Sequence, residues 1–447
     1  MSQAAESPHG RRISIAHLVL LIPWVALVVG SWSQIEDNSF LWHVRAGSLQ
    51  ADQGVVFTTD PFSFTMFGEP WLTQSWLVEL LYGWLEVLTG LGFVPYMLLL
   101  VTALTFVAIG MTAYGKSQSV PATALVVIAS VFALVSFLVP RPVVFSYLLM
   151  ALVILAWDRP STRWAVPFLV WIWAAAHASF VIGLAYIGLT LIMNREWREW
   201  PKAVVAGLVT LGTAHGLGVA TFLLDFGVSS EALQYLSEWR KPDLIEPAFL
   251  PLAGGVVLIV IGAFRNRIFP RHLWLVVPFL LLGMTSVRAI PAAWLALVPL
   301  VATSLSGLEI GARPSQRRGV AAIFAILVLV LPFLLIADAQ LSSTRFPIAA
   351  LPALEDVPTF HDDVVGGYLI WAEPERLVYV DDRAELYGPR LGELVRIRRG
   401  ELDWEPIFRR DGIEQVLLGV GEPLTESLID AGWQATYSDG SFAVLRP

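Results

Sequence analysis

Residues 71–88 read WLTQSWLVELLYGWLEVL, and whether they cross a bilayer decides the topology of everything that follows. Gln74, Glu79 and Glu86 stand there among large apolar side chains. That is the composition of a helix lying in the membrane interface rather than spanning it. Eleven other apolar runs reach or approach the roughly 20 residues that a spanning helix needs. They are 13–32, 94–113, 120–139, 143–157, 164–176, 179–193, 203–224, 248–264, 272–283, 290–305 and 320–337. With 71–88 outside the bilayer, alternation brings Lys116, Arg159, Arg163, Arg195, Arg198 and Lys202 to the inner side, and later Arg265, Arg267, Arg271, Arg313, Arg317 and Arg318. Counting 71–88 as a span inverts them all, against the enrichment of Lys and Arg in short cytoplasmic loops. The expectation is an α-helical polytopic membrane protein of about eleven spans, N-terminus cytoplasmic and C-terminus outside.

Composition agrees. Hydrophobic residues make up 56% of 447 positions, and mean hydropathy is +0.66. No single water-soluble core buries that much apolar surface, and without water in the bilayer core the apolar runs must become helices. No sustained period-2 alternation marks a membrane β-barrel. The 18 Trp suit interfacial anchoring. The absence of Cys excludes disulfides, cysteine-based zinc sites and thiol catalysis. Run 13–32, behind Arg11 and Arg12, exceeds a signal-peptide core and reads as an anchor.

Charge separates two regions. Residues 355–447 hold 19 Asp+Glu against 9 Arg, whereas the rest of the chain carries nearly balanced charge. The acidic tail argues against nucleic acid as a partner. The expected division is 1–340, a transmembrane domain with outer loop 33–93, and 341–447, an extracytoplasmic α/β domain. In the latter, 363–371, 377–381, 414–418 and 442–445 read as strands, and 389–399, 404–410 and 425–431 as amphipathic helices. Gly366–Gly367 reads as a tight turn into a strand. Run 164–193 is broken at 174–179, AAAHAS, on the outer side. Such a break is tolerated only beside protein or a wet cavity.

The first outer loop concentrates polar residues: Glu36, Asp37, His43, Arg45 and Asp60. A carboxylate just past a span can act as a general base or hold a hard cation that binds phosphate. Equally, Asp37–Asn38–Ser39 reads as the cap of the helix containing Trp42 and His43. Arg141, between Pro140 and Pro142, maps to the same outer face, as do His177, Arg288 and Glu238–Trp239–Arg240. Outer arginines run against the positive-inside trend, and binding a lipid phosphate is one reason to place them there. Pairing with a neighbouring acid, or snorkelling, is another. Asp381–Asp382–Arg383 reads either as a cation or sugar contact or as a salt-bridged loop. His17 and His215 lie within apolar runs as packing residues. No phosphate-binding or dinucleotide fingerprint supports ATP or NAD chemistry.

Asp37 with Trp42–His43–Val44–Arg45–Ala46–Gly47, then Thr59–Asp60–Pro61–Phe62–Ser63–Phe64–Thr65, Pro70–Trp71 and Trp76–Leu77, resembles a bacterial family of multi-spanning proteins. These are related to GT-C glycosyltransferases and described as RgtA/B/C/D-like or dolichyl-phosphate-mannose mannosyltransferase-like. Arg141–Pro142, Phe145–Ser146–Tyr147, His177–Ala178–Ser179–Phe180, Glu238–Trp239, Pro242–Asp243, Ser286–Val287–Arg288, Gly366 to Trp371, Asp382–Arg383 and Tyr387–Gly388 extend the resemblance, in order, over nearly the whole chain. It implies a GT-C-like fold with membrane-parallel helices in the first outer loop, in a bacterial inner membrane. It also implies a sugar donor on polyprenyl phosphate and a glycan, lipid or protein acceptor in the cell envelope. Asp37 would be the base. The family's second acid falls on Ser39, leaving Glu36 and Asp60 as supporting acids if a divalent cation, Mg or Mn, is held. His43, Arg141, His177, Glu238, Arg240, Arg288, Asp382 and Arg383 would contact the substrate or its phosphate. A lipid-linked-glycan flippase would also use outer arginines, but would place polar groups near the midplane in both halves. A non-enzymatic envelope assembly protein, binding through its C-terminal domain, is the third class.

Overall fold

The computed structural model describes residues 34–219, 221, 239–308 and 339–447. Expected spans 13–32 and 320–337, the end of 203–224, and Glu238 lie outside the described residues.

The outer loop is built on two helices, α1 (Asn38–Gln53) and α2 (Trp76–Thr89). Helix α1 starts where the Asp37 carboxylate accepts the Phe40 N–H at 3.0 Å, and ends at Gly54 in the left-handed region, φ 67°. His43, Gly47 and Gln50 share one face of α1, and Glu79, Gly83 and Glu86 share one face of α2, both by helical periodicity. The two faces meet backbone to backbone. A Cβ on Gly47 would lie 1.7 Å from the Glu79 carbonyl oxygen, and one on Gly83 would lie 2.2 Å from the Ser48 nitrogen. Neither obstacle is a side chain that can swing away. Gly47→Ala or Gly83→Ala is therefore expected to destabilise the pair by at least the roughly 1–3 kcal/mol of ordinary overpacking. Thermal melting of the detergent-solubilised protein checks this, and an unshifted midpoint would contradict the crossing.

The sequence from Trp76 to Ser117 is long and apolar enough to cross a membrane. A turn at Gly90–Phe93 nevertheless divides it into α2 and α3 (Val94–Ser117). The acids of 71–88 thus belong to a separate helix that packs along α1: Glu79 is buried there, and Glu86 accepts from Ser48 Oγ at 3.0 Å. The apolar bundle continues with α4 (Val120–Leu134), α5 (Val143–Trp157), α6 (Val166–Ala176), α7 (Phe180–Asn194), α8 (Trp200–Leu208), α9 (Leu250–Phe264), α10 (Leu273–Thr285) and α11 (Ile290–Ser304). Val120–Phe137 and Val287–Ser304 also reach spanning length and hydropathy, and the other apolar helices are shorter. Helix α11 packs against α3, α4, α5, α9 and α10. Its buried Trp294 donates to Ser130 Oγ of α4 at 2.8 Å, the kind of interhelical hydrogen bond that apolar surroundings favour.

Charges collect where alternation requires. Lys116 at the end of α3 pairs with Asp158 at the end of α5, Arg163 pairs with Glu196 at 2.8 Å, and Lys202 with Glu199 at 2.6 Å. The ends of α3, α5 and α7 therefore share one face. The start of α5 and the end of α6 share the opposite one, which holds the site.

The C-terminal part has a four-stranded sheet of β1 (Thr359–His361), β2 (Gln415–Gly419), β3 (Gln434–Ser438) and β4 (Phe442–Arg446), in the order β1-β2-β4-β3. Strand β1 runs parallel to β2, and the other pairings are antiparallel. Around it lie α12 (Asp363–Ala372), α13 (Ala384–Tyr387), α14 (Pro389–Arg398), α15 (Glu405–Asp411) and α16 (Pro423–Asp430).

Two strand expectations change. Residues 363–371 form helix α12, because the Asp362 carboxylate caps it through the Val365 N–H at 2.7 Å. Gly366 and Gly367 are contact points rather than a turn: a Cβ would lie 1.7 Å from the Val380 carbonyl oxygen and 2.8 Å from that of Asn38, respectively. Residues 377–381 stand outside the sheet: Val378 alone forms an isolated bridge, with Ser63, and Tyr379 lies in a bend. Val378 N–H donates to Phe62 O at 2.9 Å, and Phe64 N–H donates to Val378 O at 3.0 Å. The C-terminal chain is thereby stitched to the first outer loop.

Candidate functional site

A cavity of about 330 Å³ opens where α1, the α4–α5 turn, the α6–α7 break and the start of α11 meet the C-terminal chain. Its wall includes His43, Arg141, His177, Arg288, Asp382 and Glu385. A second cavity of about 330 Å³ includes Glu36, Asp37 and Arg345, and shares Arg141 with the first.

Arg141 is the hinge of this arrangement. Prolines on both sides restrict its backbone, and the Pro140 carbonyl accepts the Tyr82 hydroxyl of α2 at 3.1 Å. Arg141 Nε donates to Asp37 Oδ2 at 2.6 Å, while Asp37 Oδ1 remains on the Phe40 N–H. Asp37 thus caps α1, one of its two sequence readings, and also holds a cavity arginine. Arg141 Nη2 also lies 4.0 Å from Asp382 Oδ2.

His177 is the extended residue between α6 and α7, so the interrupted span is a real break. The Ser179 N–H donates to His177 Nδ1 at 3.1 Å, and the Ala178 N–H donates to Gln74 Oε1 at 3.3 Å. Side chains thus satisfy two of the backbone donors that the break releases. Arg288 lies just before α11, its guanidinium 5.7 Å from the Trp239 ring centre. Arg240 stays outside the cavity wall: its exposed side chain pairs with Glu246 at 2.8 Å, and only its carbonyl reaches inward, accepting the Val287 N–H at 3.0 Å.

The C-terminal chain supplies two acids to the first cavity. Asp382 accepts from Ser39 Oγ and, at 2.7 Å, from Trp42 Nε1. Burial pushes its carboxyl above the usual range, with Arg141 and Ser39 pulling the other way. Glu385 accepts from Trp71 Nε1 at 3.3 Å and is likewise raised by burial. Ser39, the position where the resemblance leads one to look for a second acid, thus touches a carboxylate contributed from more than three hundred residues away.

Between these acids, Arg383 is committed to structure. Its side chain has 0% exposure, it ion-pairs with Asp381 at 2.6 Å and with Asp60 at 2.8 Å, and its guanidinium lies 4.4 Å from the Trp71 ring centre. Phe62, Trp42 and Tyr387 present further aromatic faces. Asp60 also accepts the Ser63 hydroxyl at 2.5 Å. Asp60 is therefore sealed away, whereas Glu36 is exposed at the second cavity. Among the described residues no group of three His, Asp or Glu side chains converges. Of the two acids expected to support Asp37, Glu36 lines the second cavity with it, and Asp60 is engaged with Arg383.

Glu79 and Glu385, which line the first cavity, escaped the sequence-level site. Glu79 was visible only as an acid that spoiled an apolar run, and Glu385 carried no local signal.

The fold is thus a helical bundle with a pair of packed helices and a cavity at one end, and an α/β part stitched to its first loop. The chain resembles the crystal structure of ArnT from Cupriavidus metallidurans in the apo state, with a TM-score of 0.53 over 96% of this chain and 97% of that one. Sequence identity is 15%, so the likeness is one of fold. No protein-family model matches the chain, and no curated protein matches it.

Proposed function

We propose that this protein is a membrane glycosyltransferase of the GT-C type. It would move a sugar from a polyprenyl-phosphate donor to a cell-envelope acceptor at the extracytoplasmic face of a bacterial inner membrane. In this reading the N-terminus is cytoplasmic and the C-terminal domain extracytoplasmic. The observation that carries it is one cavity lined by Arg141, Arg288 and the salt-bridged Arg383, together with acids and aromatic rings, in which Arg141 is gripped from the neighbouring cavity by Asp37. Guanidinium pairs suit a phosphate. Indole faces and carboxylates suit a sugar.

The donor phosphate would sit at Arg141 and Arg288, and the acceptor hydroxyl would approach Asp37 from the second cavity. Asp37 takes the hydroxyl proton as the oxygen bonds to the anomeric carbon. The carbon–oxygen bond to phosphate breaks, and its electron pair stays on the phosphate, where the arginines stabilise the charge. A carboxylate offers about four acceptor directions, so the cap and the salt bridge leave room for a substrate hydroxyl. A flippase is less well supported, because the polar groups gather at one end of the bundle rather than at its middle.

Asp37→Asn preserves the cap and removes the base. Transfer from polyprenyl-phosphate sugars by the purified protein is expected to fall about 10²-fold or more, the usual worth of a general base. Binding of polyprenyl phosphate should survive. Undiminished transfer would sink the assignment of Asp37.

A further inference from the structure

The contact between α1 and α2 carries more than packing. His43 Nδ1 lies 2.9 Å from Glu79 Oε1, and Gln50 Nε2 donates to Glu79 Oε2 at 2.9 Å. Gln50 is itself fixed, its Oε1 accepting the Phe57 N–H at 3.3 Å. His43 is 8% exposed and Glu79 1%, yet both belong to the wall of the first cavity. With Nδ1 engaged by Glu79, Nε2 is the ring nitrogen left to meet a ligand. Among the described residues no hydrogen bond is made to His43 Nε2. The ring is also braced against Trp42, their centres 3.5 Å apart.

Two helices already locked by Gly47 and Gly83 gain little from a buried polar contact, whose desolvation opposes its attraction. An imidazole in a cavity wall with one nitrogen anchored is instead a placed polar group. Asp382 and Glu385 add acceptors to the same wall, and Trp42 and Trp71 add rings that meet edge to face at 5.8 Å. A sugar, with apolar C–H faces and hydroxyl donors, matches these rings and acceptors.

Resting on the glycosyltransferase reading, we propose that this flank of the cavity is the sugar subsite. His43, oriented by Glu79 and Gln50, accepts a hydrogen bond from a hydroxyl of the transferred sugar, and the arginines take the phosphate. His43 is then a specificity residue, and Glu79 and Gln50 position it.

The test compares dissociation constants for bare polyprenyl phosphate and for polyprenyl phosphate carrying mannose, glucose or arabinose. These are measured on the detergent-solubilised full chain, wild type, His43→Phe and Glu79→Gln. At least one sugar should tighten wild-type binding about tenfold, the worth of a good hydrogen bond. Both variants should lose that gain while holding the bare lipid within about twofold of wild type. Retained bare-lipid binding reports an intact cavity, so misfolding is separable from loss of the subsite. A wild type that binds bare lipid but gains nothing from any of the three sugars overturns the subsite and leaves the lipid-phosphate reading standing. So do variants that keep the gain, or lose both ligands equally while melting like wild type. A folded wild type that ignores all four lipids overturns the donor reading, and the subsite with it.

Discussion

Arg141→Gln is expected to lower kcat/KM for glycosyl transfer by about 10²–10³-fold, the range seen when a preorganised transition-state donor is removed. The expectation follows from where the side chain sits rather than from its charge alone. Arg141 is held between two prolines, donates to Asp37 at 2.6 Å and borders both cavities. On the proposed mechanism, its loss would remove a phosphate ligand and release the base from its anchor in one step. Arg141→Lys keeps the charge but not the forked donor geometry, and should recover only part of the rate. Arg240→Gln provides the contrast. That side chain is 52% exposed and engaged with Glu246, and exposed pairs contribute little. Parallel transfer assays on the three variants decide the matter: equal losses at Arg141 and Arg240 would mean that the cavity does not discriminate between them.

The contrast also marks how far the sequence could be read. Outer arginines were legible as a set, because alternation of charged loops fixed which face each one shared. Which of them converge was not legible, since that depends on the rotation of each helix about its axis. Arg141 and Arg288 enter the wall and Arg240 turns outward, though all three have the same signal in sequence. That the acids of 71–88 sit on a helix distinct from 94–117 was legible, while their partners were not. Recognising that His43, Gly47 and Gln50 face Glu79, Gly83 and Glu86 requires the helix crossing, and only the paired glycines hint at it. Segment 363–371 misled because aromatic and β-branched residues outweighed a single capping aspartate. The strand expected over 377–381 shrinks to one bridge residue, Val378, whose partner lies in a loop some three hundred residues earlier, beyond any local pattern. Asp382 and Glu385 reach the site through that pairing, so their roles could not precede it.

The same pairing makes Arg383 the position whose loss should cost the fold most. Arg383→Met leaves Asp60 and Asp381 buried without their counter-charge, and breaking a buried pair from one side costs about 3–5 kcal/mol. The aromatic box adds to the loss, because methionine fills part of the volume but cannot bind the faces of Trp71, Trp42, Phe62 and Tyr387 as a cation. Two readouts should move together. Residues 339–447 should become more sensitive to limited proteolysis, and transfer should collapse, because Asp382 and Glu385 flank the lost side chain and depend on the same stitching. Adding Asp60→Asn to Arg383→Met removes one orphaned charge and should restore part of the stability without restoring Arg383's hold on Asp381. If Arg383→Met melts and digests like wild type but still loses transfer, Arg383 acts on the substrate rather than on the frame. If the single and double variants are equally unstable, the Asp60 pairing contributes nothing to the join. A partial rescue of stability by Asp60→Asn, with transfer still absent, is the pattern that a buried staple requires.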